Sequence, residues 1–359
     1  MIISTHNKFI INKFLKSFFK VMVIFISLTL IMNLFEEVSF FKDSDATFFM
    51  PIYLTIINLP SLLFEIFPFI FLITGIIFFI EIIDHEEHNT LKIFGINNSN
   101  LLIKIGCITF LISFLLITIF YHLSANLKFV YIDIKNQYSK DDKYLAVVTA
   151  NGLWIKDTQP QNTNFINAEK IIKNTLKNVL ILSFNNQFEL VKTIKADYAN
   201  VKNKEWVLSE VTINSSNVIE KKETINFESN IDSEKIFSIF NNFTALNLFR
   251  LKELKRDYIL LGYSIKKIDL YVNKIYSYPL YLTLMVIIGS ILMLNVKFRK
   301  SKIFHITAGI LLSVIIYYFN KFFSVYSESK NVSFIMSVWG PQFILLIFTT
   351  INLVKINER

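Results

Sequence analysis

Residues 59–83 read LPSLLFEIFPFIFLITGIIFFIEII. A helix needs roughly 20 apolar residues to cross the ~30 Å core of a bilayer, and this stretch supplies them. Its prolines, Pro60 and Pro68, suit a span that forms the wall of a cavity. Five further apolar blocks lie at about 17–35, 100–124, 275–296, 303–322 and 333–354. A polar stretch at about 126–265 separates the third block from the fourth. The pattern predicts three transmembrane helices, an inserted domain, and three more helices.

Bulk composition agrees but decides less. Of 359 residues 53% are hydrophobic, little above the roughly 45–50% of soluble proteins. The mean hydropathy of +0.47 arises because the apolar residues are concentrated in blocks. A net charge of +9 would suggest nucleic acid for a soluble protein. Here the basic residues flank the blocks, so the positive-inside rule accounts for them and no nucleic-acid partner is implied. The single cysteine, Cys107, excludes an internal disulfide framework. Lysines before the first block imitate a signal peptide. The block is long and no small-x-small cleavage site follows it, so it reads as a retained span.

Orientation follows from lysine and arginine placement. Lys8, Lys13, Lys16 and Lys20 open the first span; Lys297, Arg299, Lys300 and Lys302 fill the loop after the fourth; Lys355 and Arg359 follow the sixth. Six spans put all of these in the cytoplasm with both termini. The loop after the first span carries Glu36, Glu37, Asp43 and Asp45 against Lys42, as expected outside. The inserted domain then lies outside as well. Residues Ile2 to Phe19 mix lysines with apolar positions at helical spacing. This segment reads either as an amphipathic helix on the inner face or as a basic flank of the first span.

The inserted stretch reads as β. Val179 to Phe184 alternate ahead of Asn185-Asn186; Phe188 to Ala196 and Trp206 to Ile213 follow as strands; Asn151-Gly152 is a hairpin signal before Leu153-Trp154-Ile155. Short strands at such spacing suggest a sandwich or a partly open barrel. A helix at about Ala245 to Asp257 leads back toward the membrane.

The eight glycines form neither a GxxxxGK[ST] loop nor a GxGxxG turn, so the chain has no recognisable means of hydrolysing ATP. It lacks a GxSxG nucleophile elbow as well. No cofactor is implied. His85-Glu86-Glu87-His88 spaces its histidines three apart, not the four of HExxH, and no third ligand is evident. A solvated loop is the better reading than a metal site. The Asn242-Phe243-Thr244 triplet carries no weight.

The segment from Asp84 to Gly95 is nevertheless the most informative short one. Leu91 and Phe94 are three apart, Lys92 lies beside them, and Gly95 is placed as a C-cap. It reads as a short acidic amphipathic helix between the second and third spans. A transporter driven by a cytoplasmic ATPase needs such a helix to receive its motion; a surface turn without a partner fits the residues equally. Glu65 lies within the second span. An ionisable residue at that depth is a functional candidate, and a hydrated position near the interface is the alternative. Lys42 and Lys321, at the outer ends of the first and fifth spans, would either meet lipid phosphates or snorkel as anchors.

Taken in order, these segments resemble the LptF/LptG (YjgP/YjgQ) permeases of lipopolysaccharide export. The resemblance runs from Asn7-Lys8-Phe9-Ile10 to the sixth span. Glu87 through Thr90-Leu91-Lys92 to Gly95 looks like the family's coupling helix, and Pro60 and Pro68 look like its paired prolines. Asn151-Gly152-Leu153-Trp154-Ile155-Lys156-Asp157 is similar to the QGLWAKD-like opening of the β domain in the LptG branch. Trp206-Val207-Leu208-Ser209-Glu210-Val211 resembles a strand there. Pro279-Leu280 and Gly340-Pro341 fit more loosely.

The resemblance implies an all-β, jelly-roll-like periplasmic domain over about 126–265, inserted into a six-helix membrane protein of a Gram-negative inner membrane. It implies an LptF-like permease partner, an LptB-like ATPase dimer, an LptC-like periplasmic β protein, and lipopolysaccharide as cargo. Coupling to the ATPase would involve Glu86, Glu87, Leu91, Phe94 and Gly95, and the chain itself would catalyse nothing. Lipid contacts are expected among Asn33, Phe35, Lys42, Glu65 and Lys321. One departure stands out: the family's LptG branch carries lysines along the outer half of the first span, and here the stretch reads Asn33-Leu34-Phe35-Glu36-Glu37. The rival readings are a membrane-anchored sensor with no transport activity and an intramembrane enzyme. The latter lacks a catalytic pair.

Overall fold

A computed structural model describes residues 5–42, 47–138, 153–159, 162–172, 174–185, 187–215, 218–233, 236, 242–260, 264–295, 301–329 and 333–357. Asn151-Gly152, Asn186, Asp43, Asp45, Lys297, Arg299, Lys300 and Arg359 lie outside the described residues. In chain order the elements are α1 (Thr5–Phe41), α2 (Met50–Asp84), α3 (Glu87–Ile93), α4 (Asn98–Leu115), a π-helical turn (Leu116–Phe120) and α5 (Tyr121–Tyr138). The strands β1 (Leu153–Thr158), β2 (Asn162–Ile172), β3 (Thr175–Asn185), β4 (Leu190–Asn200), β5 (Glu205–Ser215) and β6 (Val218–Glu228) follow. Then come α6 (Leu248–Leu260), α7 (Lys266–Asn295), α8 (Lys302–Ser329) and α9 (Phe334–Asn357). The chain divides into two compact units, Met1–Tyr131 with Lys266–Arg359, and Ile132–Ile265.

Among the described residues, six helices are long and apolar enough to cross a membrane: Thr5–Phe41, Met50–Asp84, Asn98–Lys135, Lys266–Leu294, Lys302–Ser327 and Ile335–Ile356. They match the six apolar blocks. α1 runs without a break from its lysine-rich start into the first span.

The second and fourth spans, α2 and α7, form the centre of the first unit. The most apolar stretch of each is 72% buried, against 17% for the first span and 22% for the fifth. Glycine lets the two central helices touch backbone to backbone. A Cβ on Gly75 would lie 2.5 Å from the Val286 carbonyl oxygen, and one on Gly289 would collide with the Leu72 carbonyl. In lipid, where helix association depends on close packing, small residues at a crossing serve this purpose. Phe67, Phe71, Phe78 and Phe79 of α2 fill the rest of the core.

The second unit holds a six-stranded antiparallel sheet in the plain order β1 to β6. One face carries the core: Ile155, Ile166, Ile181, Ile194, Trp206 and Leu208 are all buried. The indole of Trp206 donates to the Ile231 carbonyl at 2.7 Å, tying the segment after β6 to that core. The inside–outside alternation does not run unbroken. Leu176 and Val179 of β3 are both buried, as are Ala196 and Ala199 of β4 and Leu208 and Val211 of β5. In each strand one residue is left out of the pairing, Asn178, Asp197 and Glu210 among them. Asn178 and Glu210 take left-handed backbone angles, φ 50° and 53°. These unpaired residues stand opposite one another on neighbouring strands, so they form a line across the sheet at which the inside–outside alternation shifts by one while the pairing register is kept.

Candidate functional site

α3 is built as a defined elbow between the second and third spans. Glu86 precedes it in a left-handed conformation, φ 55°. Gly95 ends it at φ 77°, a region glycine enters freely. The Gly95 amide donates to the Lys92 carbonyl at 2.9 Å and the Ile96 amide to the Leu91 carbonyl at 3.0 Å. These paired bonds, with Leu91 and Ile96 both buried, constitute a Schellman motif. Gly95 is therefore the C-terminal stop that its position suggested.

The elbow has two faces. Leu91 and His88 turn into the bundle, while Ile93 and Phe94 are 84% and 72% exposed. The apolar pair seen in the sequence thus divides, with Leu91 as the anchor and Phe94 as the outward side chain. His85 and Glu86 are exposed and His88 is buried, so the two histidines of that segment part. His88 Nε2 lies 2.7 Å from Asn98 Oδ1, a contact in which the Nε2–H tautomer of the ring donates to the amide oxygen. Burial pushes the His88 pKa below its ordinary value; the Asn98 bond opposes this and the Lys92 charge adds to it.

α1 packs against this end of the bundle through a stripe of polar side chains. Lys13 Nζ donates to both carboxylate oxygens of Glu87, at 2.9 and 2.7 Å. The Ser17 hydroxyl donates to Glu81 Oε2 at 3.1 Å, and Lys20 Nζ to Glu81 Oε1 at 2.6 Å. Lys302, at the start of the fifth span, pairs with Asp84 at 2.5 Å. In the sequence these lysines read as flanking charge. No local signal announces their partners, which come from elements far along the chain.

The opposite end of the same unit carries a second polar network. Asn33 of the first span is 3% exposed and accepts from Asn58 Nδ2 at 3.1 Å. Lys128 of α5 donates to Asn58 Oδ1 at 2.7 Å and sits over the Tyr131 ring. The Tyr131 hydroxyl donates to buried Glu37 at 2.7 Å. Asn33 is thus engaged within the chain, whereas Phe35 is 74% exposed and Lys42 is also exposed. Glu65 and Lys321 are exposed and act electrostatically on a common neighbour, Lys274 of the fourth span. In the sequence Lys274 carries no signal of its own, since one lysine near a helix start looks like any other flank. Among the described residues, no group of three His, Cys, Asp or Glu side chains is placed to hold a metal ion.

The fold and these sites define a class: a polytopic membrane protein with a β-sheet unit inserted between two triplets of spans and a capped elbow between the second and third. The family model described as lipopolysaccharide export system permease LptF/LptG matches residues 8–355, nearly the entire length. The chain belongs to that family, which makes it a multi-pass inner-membrane permease component of lipopolysaccharide export. No curated protein matches it.

Proposed function

We propose that the chain is one permease subunit of an ABC-type exporter that extracts lipopolysaccharide from the inner membrane and passes it to a periplasmic β bridge. A separate ATPase supplies the energy. Removing acyl chains from lipid costs about 0.8 kcal/mol per CH₂, so a lipid with several chains does not leave unaided. The observation that carries the reading is the elbow: a capped helix anchored by Leu91 that presents Ile93 and Phe94 at the end where α1 begins. Such a helix is shaped to seat in a groove of a partner protein.

In this reading the elbow and both termini face the cytoplasm and the sheet unit faces the periplasm. Glu86, Glu87, Leu91, Phe94 and Gly95 form and hold the coupling element for an LptB-like ATPase dimer. The shallow burial of the first and fifth spans supports their use as lateral gates against an LptF-like second permease. Phe35, Lys42, Glu65 and Lys321 are the accessible candidates for lipid contact, with Lys274 added to them, and Asn33 supports them from within. The edge strands of the sheet suit pairing with an LptC-like β protein. The Leu153-Trp154-Ile155-Lys156-Asp157 segment supports the LptG branch.

Purification from native membranes, with mass spectrometry of protein and lipid together, tests this. An ATPase, a second six-span permease and bound lipopolysaccharide are expected. Recovery of the chain alone in gentle detergent contradicts the proposal, and labelling that places Trp154 in the cytoplasm overturns its orientation.

A further inference from the structure

The carboxylate of Glu87 is engaged inside the chain. Both of its oxygens accept from Lys13, and the pair is shielded, with side chains 15% and 27% exposed. Lys20, which binds Glu81, is 63% exposed by comparison. Lys13, Ser17 and Lys20 follow one another at spacings of four and three, so they form one stripe along α1. That stripe meets the last turn of α2 at Glu81 and the first turn of α3 at Glu87. The covalent link between α2 and α3 is only the turn at His85 and Glu86, with Glu86 in the left-handed region. A turn of this kind transmits a push poorly, because it absorbs displacement in its own backbone angles. A two-bond, charge-assisted contact in a partly shielded site transmits it better.

We infer that Lys13 is a positioning residue of the elbow: it clasps Glu87 so that a displacement of α3 moves the first span. Glu87 then acts through Lys13, and contact with the motor falls to the outward residues Ile93 and Phe94. This inference rests on the permease reading and adds to it the path by which the elbow drives one particular span.

The test uses the full complex in nanodiscs, with Lys13→Ala, Glu87→Ala, Lys13→Glu, Glu87→Lys and the reversed pair Lys13→Glu/Glu87→Lys. Lipid extracted per ATP hydrolysed is measured beside retention of the ATPase. The two alanine variants are expected to lower extraction per ATP by a similar factor, roughly tenfold for a pair worth about 1.4 kcal/mol, and the two single charge reversals by at least as much. The ATPase stays bound in all of them, and the reversed pair recovers most of the loss. The inference is overturned if Lys13→Ala transports normally while Glu87→Ala sheds the ATPase, or if the reversed pair does no better than its single parents. Should the wild-type chain bind no ATPase at all, the permease reading fails. Amide exchange across 87–96 then tests the clasp on the isolated chain: Lys13→Ala should speed it, and unchanged exchange refutes the contact.

Discussion

The hydroxyl of Tyr278, in the fourth span, donates to the carbonyl of Phe64 in the second. That carbonyl is the one Pro68 leaves without its helical donor, since proline has no N–H to return to the residue four before it. The tyrosine ring also stacks on Phe64, with centroids 4.6 Å apart. α2 therefore runs unbroken through Pro68 because another helix supplies the missing bond, a repair that is required where no water is available.

Tyr278→Phe keeps the stacking and removes the donor. It should lower stability by about 1 kcal/mol, the scale of a buried hydrogen bond in a membrane protein. Thermal unfolding in detergent measures this. Adding Pro68→Ala restores an N–H for the Phe64 carbonyl, so Tyr278→Phe should cost less in that background than alone. Equal costs in both backgrounds would show that the hydroxyl does not serve this carbonyl.

Gly289 meets backbone, and backbone cannot swing aside. Gly289→Ala should therefore cost about 1–3 kcal/mol by overpacking the crossing of the second and fourth spans. Gly106 is the control. A Cβ there would lie 3.4 Å from the end of the Ile287 side chain, an ordinary contact. Gly106→Ala should leave unfolding in detergent close to wild type.

Particular residues show why some of this was legible in sequence and some was not. The six spans declare themselves because length and uniform apolarity are local properties. Gly95 declares the end of α3 because its left-handed conformation is a single-residue requirement. Two strands are hard to read from the sequence for opposite reasons. β2 buries Asn164 and Ala168 around Ile166, so its inner face is weakly apolar. β6 is an edge strand whose run Glu220-Lys221-Lys222-Glu223 reads as solvent, as edges commonly do. The line of unpaired residues at Asn178, Asp197 and Glu210 breaks the period of two by which a strand is recognised in sequence. The Lys13–Glu87 and Tyr278–Phe64 contacts join residues 74 and 214 positions apart, so nothing near either partner encodes the other.

The lowered His88 pKa carries a pH dependence with a fixed sign. Above about 6.5, the ordinary histidine value, His88 is neutral whether the elbow is docked or open, and its contribution is fully present. As pH falls through 6.5 and then through the lower docked value, the open form takes a proton first, so the docked elbow loses stability. Amide exchange of residues 87–96 should quicken as pH is lowered across this window, after correction for the intrinsic rate. His88→Gln should remove the dependence.

At Gly95 the constraint is conformational alone. A Cβ there would meet nothing within 4 Å, but φ of 77° costs an L residue roughly 1–2 kcal/mol. Gly95→Ala should open the elbow's last turn, seen as faster exchange of the amides of residues 95 and 96. Gly95→Asn, which tolerates this region better, should exchange more slowly than the alanine variant.

Asp197 and Glu210 stand opposite each other on adjacent strands where the pairing is interrupted, and their hydrogen bond needs a proton. That bond, and then the Asp197 charge, push the Glu210 pKa up from its ordinary value although the side chain is exposed. A group whose folded value is raised stabilises the fold below its unfolded value and loses that contribution as pH rises through the folded one. Once both carboxylates are ionised the pair is repulsive. Glu210→Gln keeps a donor for Asp197 and removes the second charge, so the sheet should melt at a higher temperature than wild type at pH 7. The two should converge as the pH drops below the ordinary glutamate range. A variant that melts lower than wild type at pH 7 would show instead that solvent screens the two carboxylates and that Glu210 supports this part of the sheet in another way.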